Sequence, residues 1–147
     1  MTAYRVRTKA HWLTFKLEHL APVEAGAKTC TVRFSKSAAR VRVGDRLVLA
    51  FGRYDRPTVL TATAARVEVV ELEPDISRAY TLPESVLTLV EERRFYERPP
   101  LPDEATPAAL HEALEASGGD YAALLSEAVD RSAERCTCIW WRDVRRA

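Results

Sequence analysis

The spacing of the apolar residues changes period along this chain, from strand to helix and back, and that order constrains the fold more than any single residue does. As far as residue 72 the spacing is two, as in strands that bury one face. His11–Leu17 carries Leu13, Phe15 and Leu17 on one side. In Thr29–Phe34, Cys30, Val32 and Phe34 face one way while Thr29, Thr31 and Arg33 face the other. Arg46–Phe51 alternates Leu47, Leu49 and Phe51, and the Val- and Thr-rich run Thr58–Leu72 supplies one long strand or two short ones. Between the first two strands, residues 20–25 read as a short helical turn with Pro22 near its start and Gly26 just past its end. Val43-Gly44-Asp45 and residues 52–57 read as turns, and residues 35–42 as a basic loop.

Beyond residue 80 the period becomes helical. Thr81-Leu-Pro-Glu84 has the spacing of a capping box and predicts a helix through Val90. Pro99, Pro100 and Pro102 interrupt it, and Thr106-Pro107 starts a second helix with Leu110, Ala113 and Leu114 on one side. Gly118-Gly119 ends that helix, and Asp120 opens a third that turns Leu124, Leu125, Ala128 and Val129 inward. Cys136–Val144 returns to strand, with Trp140 and Trp141 on opposite faces. This order predicts an α+β fold: a mostly antiparallel β-barrel, partly closed, with helices packed outside and a helical insertion at about 84–133 before the last strand. At 147 residues, with no repeat or linker, the chain reads as one domain over 1–147.

Charge and cysteine usage narrow the function classes. The net charge is +1, but residues 1–58 hold 12 Lys/Arg against 4 Asp/Glu, while residues 59–147 hold 10 against 17. A basic half beside an acidic half suits a local polar or anionic ligand better than a grip on duplex DNA. Three cysteines exclude a fully paired disulfide framework, and Cys136 and Cys138, two apart, form a weak zinc signal with no second pair. His11, His19 and His111 are scattered, so no metal site and no cofactor are expected. No apolar run reaches the roughly 18 residues of a membrane helix, and a cytoplasmic protein without a membrane partner is expected.

The chemistry-bearing stretch is Gly26-Ala-Lys-Thr-Cys-Thr-Val-Arg33, followed by Val43-Gly44-Asp45-Arg46-Leu47. It resembles the ASCH family signature of G-x-K, a polar residue, x-R and a G-D turn into a strand. The Leu13-Thr14-Phe15 strand and the Thr81-Leu-Pro-Glu84 helix start are also similar to that family, so the resemblance covers about residues 11–90 and the closing strand. It implies a PUA-like fold and a nucleoside or single-stranded RNA as ligand. The branch with threonine at this place deacylates N4-acylated cytidine. In that branch Lys28 would activate Thr31 as nucleophile and a later glutamate would shuttle protons. Aligning the helix start puts that glutamate near Arg78, where this chain has no carboxylate; Asp75 and Glu84 are the nearest acids, and Glu84 is the candidate.

Geometry limits how these residues cooperate. Lys28 and Thr31 are three apart and would face opposite sides of a regular strand, so Lys28 must sit in the bend after Gly26, tipped toward the Thr29/Thr31/Arg33 face. A desolvated lysine beside other cations has a lowered pKa and can take a proton from a neighbouring hydroxyl. The catalytic set expected is therefore Lys28, Thr31 and Glu84, with Gly26, Thr29 and Arg33 binding substrate. The alternative is a non-catalytic RNA-binding module, or an RNA nuclease, that uses the same basic pocket. Trp12, Trp140 and Trp141 are candidates for base stacking, while Cys30 and Cys138 read as small core residues.

Overall fold

A computed structural model describes residues 9–72 and 106–147. In it, β1 (Ala10–Phe15) leads through a 3-10 turn at Leu17–His19 into α1 (Leu20–Glu24) and then β2 (Cys30–Arg33). A second 3-10 turn at Ala38–Arg40 precedes β3 (Arg46–Phe51), which is followed by β4 (Thr58–Glu71). The helix pair α2 (Ala108–Ser117) and α3 (Tyr121–Asp130) precedes β5 (Arg135–Arg146). The helix expected at Thr81-Leu-Pro-Glu84 lies outside the described residues.

The five strands form one curled sheet in the order β1-β3-β4-β5-β2. Three of its four pairings are antiparallel and β1–β3 is parallel, so the sheet is mixed. It is also an open half-barrel and not a closed barrel, which corrects the expected closure. Closure would need a backbone ladder between the edge strands β1 and β2. Instead the Thr14 carbonyl of β1 accepts from the Arg33 guanidinium of β2, at 2.6 Å. A side chain spans the gap that a ladder would have filled.

The alternation seen in the sequence sets the two layers. Leu13, Leu47, Leu49, Phe51, Leu60, Ala62 and Ala64 point into the concave side and pack with Val23 of α1, Ile139 and Trp141. Burying each large side chain contributes about 2 kcal/mol. On the convex side Cys30, Val70, Cys136 and Cys138 meet Leu110, Ala113, Leu114, Leu124 and Ala128 of the helix pair. β4 reaches both cores because its pairing with β5 slips between Thr61 and Thr63 and again between Ala64 and Arg66. Such irregularities add local twist and let a strand 14 residues long change partners.

Most local expectations hold. Gly26 follows α1 with φ +76°, Gly118 follows α2 with φ +67°, and the Asp120 carboxylate caps α3 by accepting from the Ala122 N–H. Leu17 departs from them. β1 ends at Phe15, so Leu17 enters the 3-10 turn and is 59% exposed.

Candidate functional site

The bend that carries Lys28 is built by backbone hydrogen bonds. The Pro22 carbonyl accepts from both Ala27 N and Lys28 N, at 2.9 and 3.0 Å, and Gly26 supplies the positive φ that turns the chain back. A Cβ at Gly26 would meet nothing within 4 Å, so only backbone conformation requires glycine there. The chain then docks on the end of α2, where Thr29 N donates to Ala116 O and Lys28 Nζ donates to Ser117 O, both at 2.9 Å. Carbonyls at a helix C-terminus lack intrahelical partners and carry the negative end of the dipole, so an ammonium there is stabilising. The role of the helical segment before the last strand is thus visible: α2 packs on the sheet and fixes Lys28 beside it.

β2 begins at Cys30, so Lys28 lies ahead of the strand. From the strand itself Thr31 and Arg33 turn to the concave side, opposite Ile139 and Thr137 of β5 in register. Thr31 is buried, with 5% of its surface exposed, and its Oγ1 accepts from Arg33 Nε at 3.0 Å. Trp141 lies next along that face, its backbone N–H donating to Thr29 O at 3.0 Å. Phe15 of β1 completes the arrangement across the gap. The Arg33 guanidinium carbon is 4.6 Å from the centre of its ring and Lys28 Nζ is 5.9 Å away. Phe15 also stacks on Phe51 and meets Trp141 and His19 edge-on.

The seam between the two sheet edges therefore gathers Lys28, Thr29, Thr31 and Arg33, four of the six residues singled out from the sequence. Gly26 contributes through the bend, and Glu84 lies outside the described residues. Lys28 and Thr31 are not hydrogen-bonded to each other. The amine spends one N–H on Ser117 O, and the hydroxyl oxygen accepts from Arg33.

Burial dominates the electrostatics of the seam, with Glu127 acting on Arg33 and Glu18 on His19 in the opposite sense. Burial lowers the pKa of Lys28, opposed by Cys30 and reinforced by the Arg33 charge. Burial likewise lowers that of Arg33. His19 is held below 6.5, first by burial and then by the Lys28 charge. Among the described residues no carboxylate forms an ion pair with Lys28 or Arg33. The indole Nε1 of Trp141 is buried and has no hydrogen-bond partner among the described residues. Buried donors are nearly always paired, so an orphan on this face is informative. It carried no signal in the sequence, because nothing there marks which tryptophan nitrogen lacks an acceptor.

The other candidates fall elsewhere. Trp140 is covered by the Arg66 guanidinium, 4.3 Å from its ring, and Arg66 is itself paired with Glu112 and Glu68. Trp12 stands 64% exposed on β1. Cys30, Cys136 and Cys138 are buried free thiols in the convex core. Among the described residues no three of His, Cys, Asp or Glu come together as a metal site, and no helix is long and apolar enough to cross a membrane. Two cavities among the described residues, of about 370 and 770 Å³, are lined by other residues. Comparison with protein-family models, with curated proteins and with solved structures gives no match.

Proposed function

We propose that the seam binds a pyrimidine nucleoside, free or as the unpaired base of a single-stranded RNA. The observation that carries this is the surplus of donors. The buried Trp141 indole N–H, the Lys28 ammonium and the Arg33 guanidinium belong to residues gathered around the Phe15 ring, and among the described residues no carboxylate forms an ion pair with either cation. Cytosine answers such a set with the adjacent acceptors O2 and N3 and a flat ring that packs beside Phe15. A curled mixed sheet with a helix pair packed outside it, before the last strand, supports reading the chain as related to the ASCH type. The Gly26-x-Lys28 bend and the Gly44-Asp45 turn support the same reading.

A second reading, deacylation of N4-acylated cytidine, is favoured by the lowered pKa of Lys28. A lowered pKa is the direction that a general base for Thr31 requires. Lys28 would have to leave Ser117 O and swing toward the hydroxyl, and the proton shuttle assigned to Glu84 belongs to this reading alone.

One titration separates the readings. Cytidine, uridine and N4-acetylcytidine are added to the 15N-labelled protein while the indole N–H resonances of Trp12, Trp140 and Trp141 are followed, and released acetate is assayed in parallel. The Trp141 resonance should move on titration, and Lys28→Met or Arg33→Ala should weaken binding about tenfold or more. A Trp141 resonance that stays fixed at millimolar ligand would refute the nucleoside site. Acetate release that Thr31→Val abolishes would select the hydrolase.

A further inference from the structure

The convex side of the sheet is not treated evenly by the fold. The helix pair covers the half built from β2, the start of β5 and the end of β4. On the other half, register places Trp12, Val48, Thr61 and Arg145 in one row across β1, β3, β4 and β5. Arg46 and Thr63 form the adjoining row, two residues along. Residues paired across strands share a face, so these side chains stand together on the outside. Trp12 is 64% exposed, and Arg46 and Arg145 form no ion pair among the described residues.

The rows are separated by a built depression. Thr61 pairs with Arg145 but Thr63 pairs with Arg142, so β5 takes one residue more than β4 at this point. The extra length is absorbed at Asp143, whose φ of 56° lies in the left-handed region. The bulge opens a cavity of about 370 Å³ lined by Arg46, Arg145, Thr61, Thr63, Asp143 and Gly44. Asp143 also lines it, with its carboxylate 3.7 Å from Arg142 and in no ion pair with Arg46 or Arg145 among the described residues.

We propose that this half of the sheet, which no other element covers among the described residues, is a platform for single-stranded nucleic acid, with Trp12 stacking on a base and Arg46 and Arg145 taking the phosphates that flank it. Trp12 and Arg145 are three strand spacings apart, about 14 Å, a span covered by a short run of nucleotides. Stacking on an exposed ring beside cations and hydroxyls is how single strands are held without regard to sequence. A protein partner fits poorly, because beside Ala10, Trp12 and Val48 the face carries the charged groups of Arg46, Arg145 and Asp143 and the hydroxyls of Thr61 and Thr63, whereas interface cores are depleted in charge. The platform is separate from the seam and does not depend on what the seam binds.

The test uses the full chain and fluorescein-labelled hexauridylate, read by anisotropy over a range of salt. Trp12→Ala should weaken binding by about 5- to 100-fold, with Trp12→Phe close to wild type. The pair Arg46→Gln and Arg145→Gln should lower the slope of log affinity against log salt by about 1.4. All these positions are on the surface, and unchanged thermal melts would show that the variants fold. The Trp12 indole resonance should shift with hexauridylate whether or not Lys28→Met has disabled the seam. No binding of hexauridylate, equal affinity in Trp12→Ala and wild type, or a stationary Trp12 resonance would overturn the proposal. So would displacement of the oligonucleotide by an equal concentration of inorganic phosphate, which would reduce the platform to a simple anion site.

Discussion

Replacing Arg33 by alanine tests the open-sheet architecture directly, because among the described residues its guanidinium bridges the two sheet edges. Three interactions are lost. The bond to the buried Thr31 hydroxyl is charge-assisted and leaves a buried oxygen without its donor, at a cost of about 1.5–3 kcal/mol. The bond to Thr14 O is exposed, so water replaces it and the cost is about 0.5–1 kcal/mol. The contact with the Phe15 ring adds about 0.5–1 kcal/mol. Against these, removing a partly buried charge returns about 1 kcal/mol. The net loss is about 1.5–4 kcal/mol, several times the usual effect of a surface substitution.

Urea unfolding followed by tryptophan fluorescence should register this as a midpoint lowered by about 1–2 M at constant slope. Thr31→Val in the Arg33→Ala background supplies the control. Since both changes break one bond, the double variant should lose less than the sum of the singles, with a coupling of about 1 kcal/mol. A loss under 0.5 kcal/mol for Arg33→Ala, or strict additivity in the cycle, would refute the clasp.

Two further outcomes follow from the electrostatics. His19 is held below 6.5 by burial and then by Lys28, so its folded form binds fewer protons than its unfolded form, and its contribution to stability is lost as pH falls below 6.5. Lys28→Met should raise the His19 pKa in an NMR titration and flatten that acid slope; an unmoved His19 would place Lys28 elsewhere. Burial pushes the Cys30 thiol up to about 12, and Cys136 and Cys138 are equally enclosed, so a thiol reagent at pH 8 should label none of the three in the native protein and all three in urea.

What the sequence disclosed follows the range of the interactions involved. Strand alternation is a local property, so the faces of β2, β3 and β5 were legible, down to the opposed tryptophans at 140 and 141. The glycine bend was legible for the same reason, because a positive φ after a short helix has few other solutions. Leu17 was misplaced because period two continued past the point where the chain turned, and nothing in an apolar spacing marks a 3-10 turn. The partner of Lys28 was out of reach. Ser117 O lies 89 residues away, and its availability depends on where α2 ends against the sheet. The open seam was equally hidden, since the same strands in the same order would suit a closed barrel had β1 and β2 met as a ladder.

The open sheet and the donor surplus have one physical cause. A sheet that curls without closing leaves two edges of backbone groups, and each must find a partner or face water. At this seam the partners are long cationic side chains, and such groups are over-supplied with donors. A guanidinium has five N–H groups and an ammonium three. Arg33 gives two N–H groups to Thr31 and Thr14, and Lys28 gives one to Ser117 O. Edge closure by side chains thus leaves hydrogen-bond donors unspent beside Phe15 and the orphan indole of Trp141, which a backbone ladder, with one donor and one acceptor per residue, would not have done. If the seam binds a nucleoside as proposed, the clasp that ends the sheet is also what supplies the donors for it. Substitutions that weaken the clasp should therefore weaken ligand binding along with the fold.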